Sequence, residues 1–445
     1  MTDPVIRFRE IASRHDRCFW LDGGGSREWS GRRSLLGWLE DDDVSLTYDA
    51  RTRQVIRQVS GTREVVGDDI FAVLATEMAD DGPEVHWVGY FGYASRSDLP
   101  AALDPDDPMP TAVWMRATRV EIYDHDPVTA MASPHGPAPS PAFRAHRIPD
   151  DPENLHTARN AGEPGDQAVP DEYAAAFGQV QDALRAGNSY EVNLTYRSGE
   201  SNRLDPVTAY LRLRELNPAP YAGFLQHDGR WLLSSSPERY ASVDRDGSIV
   251  TKPIKGTMPR GATPEEDDQL RSRLATDPKN RAENLMIVDL LRNDLAMVCT
   301  PGSVGVPELM EVETYESVHQ LVSSIHGQLR EGVSTVAALR ALFPAGSMTG
   351  APKLRTMEII EDVEASARGA YAGAFGWISG DGRADLGVVI RSLTCSGSAE
   401  QTGHVDVDRA WRFGTGGAIT VRSELEDEWS ESLWKADLLR SVLRG

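Results

Sequence analysis

Eight of the chain's 27 prolines fall between residues 131 and 170, among scattered Gly, Ser, Asp and Asn, a composition that cannot sustain a packed element. That stretch reads as a linker or long surface loop. It separates a β-rich N-terminal region, residues 1–130, from residues 171–445, with the two expected to pack as one body. On the N-terminal side, Val85 to Tyr93 and Ala112 to Tyr123 are strand-like runs between Gly and Asp turns. On the other side, Pro170 to Gly187 predicts a helix, with Tyr173, Phe177, Val180 and Leu184 at helical spacing and Gly187 ending it. Strands are predicted at 188–198, 221–226, 230–235 and 239–243. Two helices are predicted over 264–297, broken near Pro278, and a last helix over 424–443. Strand-like runs cover Ala370 to Ile378 and Leu386 to Cys395. The class is α+β or mixed α/β.

The chain carries 46 basic and 68 acidic residues, a net charge of -22. Such a field repels nucleic acid and anionic membrane surfaces, so neither is expected as a partner. No apolar run reaches membrane-spanning length and the first ten residues do not build a signal-peptide core, which predicts a cytoplasmic protein. Cys18, Cys299 and Cys395 are far apart and form neither a C-x-x-C pair nor a disulfide-scaffold spacing, as in a reducing compartment.

Two helical acidic clusters have the chemistry of a metal site. Glu283 lies beside Leu285, Met286, Ile287, Leu290 and Leu291 and is expected to face the protein body. Glu428 and Glu431 share one face of the last helix, with Lys435 one turn further along. Carboxylates from two helices suit Mg²⁺, while a solvated charged face with i,i+4 pairing has the same spacing. Lys255, within Thr251-Lys-Pro-Ile-Lys-Gly-Thr257, is either a nucleophile or a turn lysine. As a nucleophile it needs a pKa lowered by desolvation or by a neighbouring cation. Glu238 follows the strand Trp231 to Leu233 and is either a general acid kept protonated by burial or an ion-pair partner. Phe413 to Ile419 is glycine-rich, an anion-binding backbone or a tight turn, and Arg391 inside an apolar strand is an anion clamp or a structural ion pair.

These segments stand in a fixed order: Tyr190-Glu-Val-Asn-Leu-Thr195, Ser236-Pro-Glu-Arg239, Pro253-Ile-Lys-Gly-Thr257, Arg281 to Asp294, Val318-His319, Phe343 to Lys353, Tyr371-Ala-Gly373, Ile390-Arg-Ser392, Gly416-Gly417 and Glu428 to Lys435. Together they resemble the chorismate-utilising family, which includes anthranilate, aminodeoxychorismate, isochorismate and salicylate synthases. The resemblance implies a large β-sandwich core with helices on its outer faces, and a chorismate-binding catalytic domain over 171–445. It implies that Glu283 and Glu431 ligate Mg²⁺ and that Glu428 supports the ion through water. Tyr371, Arg391, Lys435, Gly416 and Gly417 are implied to hold the enolpyruvyl carboxylate. Ser347, Gly256 and Thr257 are implied to line the substrate site, Glu238 to be the general acid, and His319 to stand near the leaving hydroxyl. Asn280 departs from the pattern, since anthranilate synthases usually carry an acid there.

Position 255 discriminates within the family. Anthranilate synthases have a small residue there, and isochorismate and salicylate enzymes activate water with a lysine at the place of Glu191. A lysine at 255 and none at 191 resembles aminodeoxychorismate synthase component I, implying a covalent Lys255 intermediate and amination at C4 towards 4-aminobenzoate and folate; an anthranilate synthase component I and a catalytically silent scaffold for an amidotransferase are the alternatives. No cysteine has the surroundings of a glutaminase nucleophile, so a glutamine amidotransferase partner is implied as the ammonia source. The likeness to family members with a Leu-Leu-Glu-Ser tryptophan pocket fails at Trp20-Leu-Asp-Gly-Gly-Gly25, which argues against tryptophan feedback.

Overall fold

The computed structural model describes residues 3–23, 33–125, 168–315, 318–397 and 408–444. Most of the proline-rich segment, 126–167, and the Gly24-Gly25 pair lie outside them.

Two antiparallel sheets face each other. The first has nine strands, running edge to edge through Gly350–Ala351, Glu191–Asn202, Arg409–Ile419, Ser392–Ser396, Arg230–Ser236, Tyr221–His227, Arg17–Asp22, Arg33–Trp38 and Arg119–Asp124. The second, of twelve, runs through Ile254–Pro259, Val318–Gln328, Ser248–Lys252, Arg239–Val243, Ala384–Val388, Ala374–Ser379, His86–Phe91, Ala112–Ala117, Ser45–Asp49, Gln54–Val59 and Thr62–Gly67, with Gly305–Thr314 also paired to Val318–Gln328. Strands from both sides of the proline-rich segment enter both sheets. The inter-sheet core holds Phe19, Leu21, Tyr90, Met115, Tyr221, Leu232 and Phe375. Outside the first sheet, Phe8, Tyr210 and Leu439 bring helices Pro4–Arg14, Pro206–Leu216 and Leu425–Arg444 against Trp20, Phe224 and Trp411. Outside the second, Ile287, Leu291, Leu339 and Phe71 cover Tyr240, Ile249 and Trp114. The fold is α+β, a β-sandwich with helices on both outer faces.

Most predicted elements form, and the differences are local. Pro278 starts the helix Pro278–Ala296, its missing N–H falling in the unpaired first turn, and the Asp277 side chain caps it by accepting from Asn280 N at 2.7 Å. On that helix Leu285 is exposed; the buried face carries Glu283, Asn284, Ile287, Val288, Leu290 and Leu291. Helix Pro4–Arg14 was not expected, and it forms because Asp3 caps it with Pro4 in its first turn. The run Leu386 to Cys395 is not one strand. Ala384–Val388 belongs to the second sheet and Ser392–Ser396 to the first, and the chain changes sheets between them. Arg391 sits on that crossover, outside either strand, at φ 48. Arg409–Ile419 is a continuous strand, so its glycines form no tight turn. No helix among the described residues is long and apolar enough to cross a membrane.

Candidate active site

Three local devices aim polar side chains into one region of the sandwich. The pairing of Ile254–Pro259 with Val318–Gln328 slips between Ile254 and Thr257, a bulge that redirects the intervening side chains. Gly256 takes φ 87 there, a left-handed conformation that favours glycine, and a Cβ on it would also press on Asn280 Cγ at 2.7 Å. Lys255 is buried at this bulge, with Nζ 2.5 Å from Glu191 Oε1 on the fully buried start of strand Glu191–Asn202.

The second device is a pair of neighbouring crossovers. Pro237-Glu238 carries the chain from strand Arg230–Ser236 in the first sheet to Arg239–Val243 in the second, and residues 389–391 carry it back. Glu238 is 6% exposed and shares a side-chain hydrogen bond with Ser347 of the short turn Gly346–Met348. The third device is the last helix, whose first three turns lie over Gly416-Gly417. A Cβ on Gly417 would stand 3.2 Å from Glu428 Oε2 and 3.9 Å from both Glu431 Oε1 and Lys435 Nζ, so the glycine leaves room where these groups converge.

The electrostatics follow from burial and from which charges face each other. Burial drives the Glu238 carboxyl up to about 7, against the opposing pull of Ser347 and Lys255. Burial likewise raises Glu283 to about 7, with Glu191 and Glu431 adding to the rise and Lys255 and Lys279 opposing it. Glu431 goes the other way, because Lys435 Nζ lies 2.7 Å away. Lys255 contradicts the expectation of a lowered pKa. Desolvation does push it down, but Glu191, Glu283 and Glu238 outweigh it and hold the ammonium form. Arg391 is lowered by burial alone, and among the described residues no carboxylate acts on it.

The donors expected to hold a metal do not close on one point. Among the described residues, no three His, Cys, Asp or Glu side chains have metal-site spacing. Instead Lys279 Nζ sits 3.0 Å from Glu428 Oε1 and Lys435 neutralises Glu431. The residues still fit a hard cation: Glu283 Oε1 is buried without a hydrogen-bond partner, the Gly417 position leaves space, and the donors are all carboxylate oxygens.

His319 is fully buried with both ring nitrogens engaged, Nδ1 with Thr314 Oγ1 at 2.9 Å and Nε2 with Asp267 Oδ1 at 3.0 Å. The charges that act on it are Asp267, Arg260 and Arg271, none of them in the Lys255–Glu238 group. Thr257 pairs with Gln320 on the same strand as His319. Tyr371 lies under Arg197, whose guanidinium carbon is 4.5 Å from the ring centre. It lines a cavity of about 410 Å³ together with Arg197, Arg368, Arg412 and Gly414, a cavity that Lys255 and Glu238 do not line.

A family model described as chorismate binding enzyme matches residues 16–441. The chain belongs to that family. It is similar to proteins named aminodeoxychorismate synthase from Streptomyces pristinaespiralis, 38% identical over 96% of this chain and 62% of that one, and from Streptomyces griseus, 37% identical over 99% and 63%. Aminodeoxychorismate synthase component 1 of Klebsiella aerogenes is 43% identical over 62% of this chain and 58% of its own. The chain spans about three-fifths of the length of these relatives. Among solved structures, anthranilate synthase component I from Streptococcus pneumoniae TIGR4 shares the fold, with a TM-score of 0.68 at 24% identity over 92% of each chain.

Sequence reasoning missed four contributors. Lys279, one residue before Asn280, reaches across to the last helix. Arg197 and Arg368 sandwich Glu364 behind Tyr371, at 3.4 and 2.6 Å, and Glu364 Oε1 also accepts from Thr195 N and Oγ1. The signal for Glu364 was weak, one acid at the end of helix Lys353–Val363. The Lys353 that closes the Phe343 to Lys353 segment is structural: partly buried, it bonds Asp294 at 2.6 Å and the carbonyls of Leu342 and Pro344.

Proposed function

We propose that this chain aminates chorismate at C4, the reaction of an aminodeoxychorismate synthase component I, using ammonia from a glutamine amidotransferase. The observation that carries the reading is Lys255, a buried lysine at a glycine bulge, ringed by Glu191, Glu238 and Glu283. The names of the relatives support it, and "component 1" in one of them fits a second component that supplies ammonia.

In this reading the cations of the site answer the substrate's two carboxylates. Arg391, on which no carboxylate acts among the described residues, Tyr371, Lys435 and the amides of Gly416 and Gly417 hold the enolpyruvyl carboxylate. Glu283 and Glu431, with Glu428 beside them, would hold Mg²⁺, and the ion would supply positive charge for the ring carboxylate. An ion there would compete with Lys279 and Lys435 for these carboxylates. Glu238, partly protonated near neutral pH, gives its proton to the departing 4-hydroxyl, and Ser347 holds it in place. Lys255 Nζ bonds to C2 as the C4–O bond breaks; ammonia then bonds to C4 and the C2–N bond to lysine breaks. His319, tied to Thr314 and Asp267, braces the strand that pairs with the Lys255 segment.

The test is product analysis with purified protein, chorismate, Mg²⁺ and ammonium. Aminodeoxychorismate is expected, and anthranilate as the sole product overturns the reading.

A further inference from the structure

A lysine nucleophile must shed a proton before its lone pair can form a bond, and the surroundings of Lys255 work against that loss. The proton therefore needs a destination inside the site. Among the described residues, the acceptor in hydrogen-bond contact with Nζ is Glu191 Oε1, at 2.5 Å. The second oxygen, Oε2, is buried with no hydrogen-bond partner, so the carboxylate is not committed to another donor in the protein. Its backbone is pinned: Glu191 pairs with Ala351, and a Cβ on Gly350 would meet Glu191 O at 1.9 Å. The carboxylate thus sits on a rigid strand, fully buried, facing a lysine whose own backbone is fixed by a bulge.

We propose that Glu191 is the general base that activates Lys255. This rests on the reading of Lys255 as nucleophile. Before attack, the Nζ–H bond facing Glu191 breaks and the proton passes to Oε1, leaving neutral amine and carboxylic acid. The amine bonds to C2 as a secondary ammonium while Glu238 protonates the 4-hydroxyl, which leaves as water. Ammonia bonds to C4, the C2–N bond breaks, and the freed amine recovers its proton from Glu191. The new C4 ammonium returns a proton to Glu238, so both acids end as they began.

The test uses Glu191→Gln, which keeps an oxygen acceptor for Nζ but takes no proton, and Glu191→Ala with and without formate. The readouts are kcat and KM for chorismate, and the rate at which intact protein gains a covalent adduct from chorismate without ammonia. Glu191→Gln is expected to lower kcat and adduct formation by about 10²–10⁴-fold at little-changed KM. Formate is expected to restore part of the rate in Glu191→Ala, which a purely structural ion pair would not show. Adduct formation by Glu191→Gln at the wild-type rate, or a loss confined to KM, overturns the proposal. Lys255→Ala separates the two claims. If it is inactive while Glu191→Gln is fully active, the nucleophile stands and the base does not; if it still makes aminodeoxychorismate, the nucleophile itself is wrong and the base falls with it.

Discussion

Glu238 and Arg391 occupy two adjacent crossovers between the sheets: the Glu238 carbonyl accepts from Val388 N at 2.9 Å, and the Arg391 carbonyl from Ser235 N at 3.2 Å. An acid and a cation are thereby held at the seam of the sandwich, where the backbone leaves one sheet for the other. Because the Glu238 carboxyl titrates at about 7, its acid form prevails below that pH. Turnover should therefore fall as pH rises through about 7, and Glu238→Gln should lower kcat by about 10²–10⁴-fold. A pH–kcat profile of wild type that stays flat between pH 6 and 8 would count against this role.

The same shift has a stability consequence. The folded value lies above the 4.5 of an ordinary glutamate, so the protonated form is favoured by folding. Its stabilisation is present below about pH 4.5 and lost as pH rises through 7. At pH 8 Glu238→Gln, which cannot ionise, should be more stable than wild type by roughly 1–3 kcal/mol. Urea unfolding at pH 8 and pH 5 measures it; a gain of equal size at both values would point to packing instead.

Lys435 and Lys279 occupy Glu431 and Glu428 in the structure, which makes the proposed ion a competitor for those carboxylates. Chelator should abolish turnover and Mg²⁺ restore it. Glu431→Gln should raise the Mg²⁺ needed for half-maximal rate by about tenfold or more, in line with the loss of one charged ligand. Full activity in excess chelator would remove Mg²⁺ from the reaction.

The Glu364 side chain is 3% exposed and sits between the buried Arg368 and the partly buried Arg197, so one carboxylate serves two guanidinium groups. Replacing it by Gln leaves both charges uncompensated and should cost about 3–5 kcal/mol. Arg197 would also lose its fixed place over Tyr371, so KM for chorismate should rise. Thermal unfolding and a KM measurement at a temperature where the variant is folded separate the two effects; unchanged melting would show that the arginines find other partners.

Much of this molecule was written in its residues. Apolar spacing located the long helices and most strands, because helices and strands impose their periods locally. The ordered series from Glu191 to Lys435 showed the family, and with it the sandwich, since each segment is constrained by chemistry at its own position. Pro278 marked the helix that bears Glu283. Tertiary structure decided the rest. Arg391 looked like a strand residue until the chain proved to change sheets there, because an apolar run does not tell which sheet each half joins. Lys255 was expected to need a lowered pKa, but its ionisation depends on Glu191, Glu238 and Glu283, which are 64, 17 and 28 positions away in the sequence and meet it only in the folded chain. Sequence placed a lysine at position 255; only packing determined which carboxylates surround it, and so which of them can take its proton.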